Sequence, residues 1–538
     1  MKTTYKFLPV VAALAFLGSC NDLDTEPMGS VVTSTQKENV VANDPSMAEA
    51  SVNALPMMTK QYCGVLGNTK VQSDFGWPAS MLFLDSRTAD MPSTTSAYNW
   101  FGDGLDYSDK TNNNYSTRFM WGTNYNMIFA CNSILKTMDP ETTNPTLQYF
   151  MAQALGYRAW AYFNLAQMYQ FTYVGNQDKP CVPIITEVNS DKVAVDGAAR
   201  ATVQEVYDQI LSDLNKAVDL LKSTGHIAPA DRLGKQYITA STAAGIRARV
   251  YLVMNEWEKA ATDAQYVIDN SQCTPYSIAE VSKPSFWDAS DHSWLFAIDI
   301  ESGEVGNLHC WPGHFVTFYT GGYAQVGVYR KINTALFESI PATDVRKGWW
   351  CDANGDSPNL DKAHADILYG TPGSYFESKE EAAYINVKFD TYQSMFSGVC
   401  YLNDIPLMRI EEMYLTLAEA QAMNNPTLGV ATLNNFMQTY RNPQYNCMLT
   451  SATEIQDEIW KQRRIELWGE GLSYFDLQRL KKPVDRVGGG FEPAVVFNIP
   501  ADSPLRLYLI PLGETQTNPL IPASANNEEG PIPTPIAE

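Results

Sequence analysis

Arg463-Arg464-Ile465-Glu466-Leu467-Trp468-Gly469-Glu470-Gly471-Leu472-Ser473-Tyr474-Phe475-Asp476-Leu477-Gln478-Arg479 sets charged and aromatic side chains around two glycines in this 538-residue chain. Arg464, Glu466, Glu470, Asp476 and Arg479 crowd one helix and turn, Gly469 and Gly471 punctuate the backbone, and Trp468 and Phe475 stand beside them. Crowded titratable groups invite a catalytic reading. Opposite charges alternating beside large aromatics fit better with a satisfied ion-pair network that closes a helix onto a core. The stretch marks a fold rather than a reaction.

Upstream, the strongest periodic signals are helical. Within Met151–Tyr169, residues Leu155, Ala159, Tyr162, Phe163 and Ala166 recur at three- and four-residue steps and predict one buried face. Ala201–Leu221 opens with Thr202 and Glu205 at capping-box spacing and carries Val206, Ile210, Leu214, Ala217 and Leu221 on one stripe. Residues 241–269 read as a helical hairpin turning at Asn255, and 409–440 repeat the design with a turn at Asn424-Asn425-Pro426. Small alanines facing aromatics in paired helices resemble degenerate tetratricopeptide repeats, a stack that serves as a scaffold.

Between the helical blocks the texture changes. Residues 70–115 and 271–405 are rich in Gly, Ser, Asn, Asp and aromatics, with short strand-like runs such as Trp294–Ile300; a further strand is predicted at Leu505–Ile510. Long irregular segments inside a packed chain are functional or disordered, and the aromatic content argues against disorder.

At the N-terminus, Lys2 and Lys6 precede an apolar run from Phe7 to Leu17 and then Leu17-Gly18-Ser19-Cys20, the pattern of a secretory signal peptide over residues 1–19. The run is shorter than the ~20 apolar residues a bilayer-spanning helix needs. Leu-Gly-Ser-Cys also resembles the bacterial lipobox, which implies cleavage before Cys20 and a diacylglycerol on its thiol. Asn21-Asp22-Leu23-Asp24 resembles the surface-export signal of Bacteroidetes lipoproteins. Residues 20–45 then read as the lipidated cysteine and a polar tether, and 46–538 as one domain, its scaffold mainly 118–270 and 406–482 and its loop-rich face mainly 70–115 and 271–405.

The formal net charge is −22, and removing residues 1–19 leaves about −24. Such a surface repels phosphate backbones and anionic lipid, so nucleic acid is excluded as a partner and membrane contact falls to the acyl chains alone. Eight cysteines besides Cys20 form no CxxC pair, and buried thiols or disulfides are both open to them. His309-Cys310-Trp311-Pro312-Gly313-His314 reads as a Pro-Gly turn with incidental histidines rather than a metal site. No HExxH, GxSxG, P-loop or GxGxxG sequence is present, and no cofactor is implied.

The 463–479 stretch is similar to the signature of the SusD/RagB family, approximately Arg-x-x-Glu-Leu-x-Gly-Glu-Gly-x-Arg-x-Phe-Asp-Leu-x-Arg. Ser473 departs from it, standing where the family commonly has arginine. Further resemblances follow in order: Trp121…Tyr125…Ile128…Asn132, Tyr157-Arg158-Ala159…Tyr162-Phe163, Pro406-Leu407-Met408-Arg409 with Ala418-Glu419-Ala420, and Leu509-Ile510-Pro511…Glu514…Asn518-Pro519. The resemblance implies a non-enzymatic outer-membrane lipoprotein, facing the cell exterior, that captures nutrient as a lid over a SusC-like TonB-dependent transporter. It implies a mostly α fold: a degenerate tetratricopeptide scaffold with a loop-rich, short-strand ligand-binding insert. Oligosaccharide is the expected ligand. Peptide or another nutrient is the alternative, and a secreted glycoside hydrolase is a more distant one.

A sugar ring offers an apolar C–H face and a rim of hydroxyls, which proteins meet with flat aromatics flanked by amides and carboxylates. Asp90, Asn99, Trp100 and Asp103 supply such a set, and their loop resembles the family's Asp…Trp-x-x-Gly-Gly loop. Trp311, Tyr319 and Tyr323 form a second candidate cluster. Trp100 is the residue expected to stack on ligand.

Overall fold

The computed structural model describes residues 34–61, 64–66, 71–96, 98–369 and 374–537. Cys20, the signal peptide and the first part of the tether therefore lie outside the described residues. The tether's second part is not a bare linker: α1 (Ser34–Asn43) is helical and buries Val41, and α2 (Ser46–Thr59) follows at once.

The scaffold is a stack of long helices. After α3 (Trp77–Ser86) come α4 (Tyr115–Leu135), α5 (Pro145–Tyr169), α6 (Val203–Ser223), α7 (Ala240–Met254) and α8 (Trp257–Asn270). The stack resumes late in the chain with α9 (Ile410–Asn424), α10 (Pro426–Tyr440), α11 (Ala452–Glu466) and the short α12 (Ser473–Arg479). Each of α4 to α9 packs on the next, and α9 also packs on α10 and α11. About 140 residues that separate α8 from α9 in sequence are therefore looped out without breaking the stack.

Local chemistry sets the helix ends. Thr202 and Glu205 form the predicted capping box of α6. Asn255 takes the left-handed conformation (φ 60°) between α7 and α8, and the Asn425 side chain caps α10. α5 departs from the one-faced expectation, because every residue from Phe150 to Tyr169 is buried. α4 and α6 flank it on two sides, and Phe296 of the strand pair packs against Tyr157 and Trp160. Its polar residues are paired inside: Arg158 donates to both carboxylate oxygens of Asp213 (2.8 and 2.7 Å) and to Asn132 (2.8 Å), joining α4, α5 and α6.

Strand β1 (Trp294–Ile298) pairs antiparallel with β2 (Ile405–Arg409), with an irregular register between Trp294 and Ala297. β2 runs straight into α9, which fixes Arg409 at the boundary inside the core. The strand predicted at Leu505–Ile510 is instead the end of a 3-10 turn (Pro504–Arg506) followed by a buried segment without strand pairing. The Asn526 side chain donates to the Ile510 carbonyl and the Asn527 side chain to that of Tyr508, so amides replace a neighbouring strand. α3 was also not foreseen: all ten of its residues are buried, leaving no polar face to show a helical period.

Candidate functional site

The signature stretch builds a buried charge network. Arg409 donates to Glu470 through Nε (3.0 Å) and Nη2 (2.8 Å) and to Glu466 through Nη1 (3.1 Å). Arg441 donates to both oxygens of Glu466 at 2.7 Å, and Lys388 donates to Glu470 at 2.8 Å. Burial raises the Glu466 and Glu470 carboxyls, but the surrounding cations outweigh it and hold both below the usual range. Asp476 joins Arg463 (2.7 Å) and Arg479 (2.8 Å), and Arg479 reaches Glu419 on α9. Gly469 and Gly471 have φ of 79° and 73°. A Cβ on Gly469 would lie 2.3 Å from the Phe315 ring and one on Gly471 2.6 Å from Met81, so the turn seats only glycine. Phe475, Trp77 and Trp160 line a small cavity of about 40 Å³ together with Glu470, Asp476 and Arg479 of this network.

Three of the candidate ligand residues belong to this interior instead. Asp90 is buried, accepts from Arg464 (2.6 and 2.9 Å) and from the Ser473 hydroxyl, and its carbonyl accepts the Trp468 indole N–H (2.9 Å). Ser473 thus supplies a hydrogen bond to Asp90 at the position where arginine was expected. Asn99 is buried too: its amide donates to the Thr94 carbonyl (2.7 Å) and its oxygen accepts from Phe101 N–H and Arg330. Trp311 stacks on Phe315 at 4.3 Å and meets Phe389 edge-on at 5.0 Å, within the core. The surroundings of these three leave no face for a ligand.

The other four candidates lie toward solvent or border it. Trp100 is 38% exposed and its neighbour Tyr98 is 59% exposed. The Trp100 indole and the Gln72 side chain are in hydrogen-bonding reach of the Tyr323 hydroxyl. Tyr323 stacks on His314 (4.5 Å), and His314 stacks in turn on Phe75 (5.3 Å). This ladder fixes Trp100 from behind while leaving part of its ring open. Asp103 is exposed on the one-turn helix Gly102–Leu105, with Asn114 donating to it at 3.5 Å. Tyr319 is largely covered but borders a surface pocket of about 440 Å³ with Asn307, Thr320, Ser397 and Tyr401. A Cβ on Gly321 would meet the Tyr319 ring at 2.8 Å, so the glycine allows the ring to lie flat against its loop.

The predicted Pro-Gly turn is a single helical turn, Trp311–Phe315, and His314 in it is far from incidental. Burial and the neighbouring Arg330 drive its pKa down to about 3, so it is neutral, and its Nε2 lies 2.9 Å from the Gln72 carbonyl. The Pro-Gly pair beside His314 hides the part it plays in packing, and Gln72, Asn307 and Tyr401 carry no local signal. Tyr98 had one, in the aromatic run 98–101. A larger groove of about 870 Å³ between α1, α2 and α4 is lined chiefly by Val40, Met47, Ala48, Met58, Phe129 and Ile134. Lys37, Ser51, Gln61, Asn126, Ser133 and Thr137 stand among these apolar side chains.

Two family models match the chain: residues 45–252 fit one described as starch-binding proteins associating with the outer membrane, and residues 368–522 fit the SusD family. The chain belongs to the SusD/RagB family. This SusD/RagB chain is 25% identical over 426 residues to SusD-like protein P38 of Formosa agariphila, covering 71% of the chain and 77% of the relative. A SusD-like protein of Bacteroides ovatus is 22% identical, covering 66% and 64% respectively. The fold matches a SusD-like carbohydrate binding protein from Bacteroides vulgatus (TM-score 0.71, 22% identity, 90% of this chain and 98% of that one). It also matches a SusD superfamily protein from Bacteroides thetaiotaomicron (TM-score 0.68, 21% identity, 88% and 98%). SusD-like proteins are non-catalytic carbohydrate binders, and this SusD/RagB protein is not an enzyme. Among the described residues no helix is long and apolar enough to cross a membrane, and no cluster of His, Cys, Asp or Glu is placed to hold a metal. The seven described cysteines carry free thiols.

Proposed function

We propose that this SusD/RagB protein captures an oligosaccharide at the cell surface without altering it and passes it to a SusC-like TonB-dependent transporter. The observation that carries this reading is Trp100: a half-open indole, braced by Tyr323, while Tyr319, four residues before Tyr323, borders a pocket edged with amide, hydroxyl and phenol groups. An aromatic face covers the C–H side of a pyranose while the polar edge bonds its hydroxyls. Anchoring is through diacylglycerol on Cys20, with the body facing outward.

Isothermal titration against plant, fungal and host oligosaccharides tests the binding step. Trp100→Ala weakens binding by about 2 kcal/mol, more than tenfold in affinity, as for an aromatic hot spot. Unchanged affinity in that variant removes Trp100 from the site. Co-purification with the transporter from outer membranes tests delivery.

A further inference from the structure

We propose that protonated His364 is the positioning residue that clamps the two walls of the pocket beside Tyr319, so that the pocket loosens and its grip on a ligand weakens as pH rises. The consequence for ligand rests on reading this pocket as part of the sugar site; the clamp itself does not. One wall is Tyr319, Thr320 and Gly321, and the other is Ser397, Gly398 and Tyr401. The two are stitched together where Thr320 donates through its backbone N–H (3.1 Å) and its hydroxyl to the Phe396 carbonyl. His364, on the short helix Lys362–Leu368, packs against the residue that precedes each wall. Its ring meets Phe318 edge-on at 4.7 Å and Phe396 edge-on at 5.0 Å.

Both ring nitrogens lie on carboxylates: Nδ1 is 2.8 Å from Asp361, the cap of its own helix, and Nε2 is 3.1 Å from buried Asp390. A neutral imidazole has one N–H and one lone pair and serves only one of them, so the ring bonded to both is the imidazolium. Burial pulls its pKa down, but Asp390 and Asp361 outweigh burial and hold it above the ordinary histidine value. Asp390 anchors the second wall. Its carboxylate also accepts from the Ser394 hydroxyl (2.6 Å) and the Thr391 N–H (2.8 Å), and its carbonyl accepts from the Asn403 amide (2.7 Å). Gln393 and Ser394 are consecutive left-handed residues, each with φ of 54°, a strained turn that these bonds hold in place. Deprotonation takes from the buried Asp390 carboxylate the cation that faces it, and the turn loses its anchor. Neighbouring lysines stay off the ring: Lys362 pairs with Asp366 in solvent (2.6 Å), Lys388 goes to Glu470, and Lys283, near the Ser285 that bonds the Asp390 backbone, is exposed. Burial raises Tyr319, Tyr375 and Cys400, which stay neutral. Residues 370–373, outside the described residues, are Gly-Thr-Pro-Gly and bring no charged side chain. Because the folded pKa lies above the free value of about 6.5, the clamp is complete below that pH. Above it, opening of the loop gains up to about tenfold per pH unit until the folded pKa is passed.

Hydrogen–deuterium exchange of the full mature chain, without ligand and from about pH 6 to about pH 9, reads the clamp directly once the intrinsic pH dependence of exchange is divided out. The expected result is that amides of residues 391–403 lose about tenfold in protection over that range, whereas those of α5 do not. In His364→Gln, which does not titrate, their protection is already low at the acid end and stays level. Asp361→Asn keeps the helix cap and removes one of the two charges on the ring, so the loss of protection moves to lower pH; this variant decides the matter if His364→Gln fails to fold. Protection of 391–403 that stays level in the parent, or that still falls with pH in His364→Gln, overturns the clamp. Isothermal titration with neutral gluco-, manno- and xylo-oligosaccharides over the same range reads the consequence: binding weakens as pH rises in the parent and not in His364→Gln. A glycan bound equally at both ends of the range while the loop loosens overturns the link to ligand. If none binds at any pH, the sugar-site reading fails, and the exchange result still decides the clamp.

Discussion

Glu470→Ala is the perturbation whose size and pH dependence both follow from named partners. It deletes the carboxylate that accepts from Arg409 and from Lys388 at 2.8 Å. Arg409 keeps Glu411 and Glu466, so its charge stays paired. Lys388 keeps the carbonyl oxygens of Glu466 and Trp468 and the faces of Phe286, Trp349 and Phe389, but no carboxylate hydrogen-bonded to it. Breaking a buried pair from one side costs about 3–5 kcal/mol. Burial already lowers the Lys388 pKa to about 8, with Glu470 opposing the fall, so without Glu470 it drops further and the amine is neutral at pH 7. In the parent, folded and unfolded chains both hold this proton below pH 8, and the group contributes no slope. In the variant only the unfolded chain holds it, so stability rises with pH by up to about 1.4 kcal/mol per unit. The deficit therefore narrows between pH 6 and pH 8, by about 1–2 kcal/mol. Adding Lys388→Met removes the orphaned amine and recovers about 1–2 kcal/mol, because replacing both partners is milder than removing one. Urea unfolding at pH 6, 7 and 8, followed by tryptophan fluorescence, reads all three effects. The reasoning is refuted if Glu470→Ala unfolds with the parent, or if its deficit is the same at every pH.

Trp468→Ala and Trp100→Ala separate core from ligand surface. The first removes a buried ring and the hydrogen bond to the Asp90 carbonyl and costs about 3–5 kcal/mol of stability, whereas the second leaves the melting temperature nearly unchanged. Asp85, whose pKa burial raises to about 8, keeps its proton in the folded state while the unfolded state ionises above about pH 4, so stability falls from pH 4 to pH 8 through this group. Asp85→Asn removes that slope and raises stability at pH 7 by about 1–3 kcal/mol; an unchanged pH profile would show that Asp85 is ionised in the fold. Cys20→Ala releases the protein from outer-membrane vesicles after a high-salt wash, since no basic patch substitutes for buried acyl chains, and a variant that still sediments with them would count against the lipid anchor.

Helices were legible wherever the chain alternates between buried and exposed faces. α6, with its capping box, and the α7–α8 and α9–α10 hairpins lie close to where periodicity and turn residues placed them, because those signals act over four residues or fewer. α3 and the whole-round burial of α5 were not legible, because an element covered on all sides has no polar face to reveal its period. The same limit divided the candidate site. Composition picks out aromatics and carboxylates that could meet a sugar, yet it cannot distinguish Trp100, half in solvent, from Trp311, stacked inside the core. Nor can it show that Asp90, 374 positions from Arg464, is bound to it. By itself the sequence determined the helical scaffold, the place of the signature turn and the acidic net charge, while the positive φ and the Phe315 and Met81 neighbours that admit only glycine at 469 and 471 belong to the tertiary structure. Only the tertiary structure decided which aromatic rings face water and which charges are already paired, since both depend on contacts between segments hundreds of residues apart.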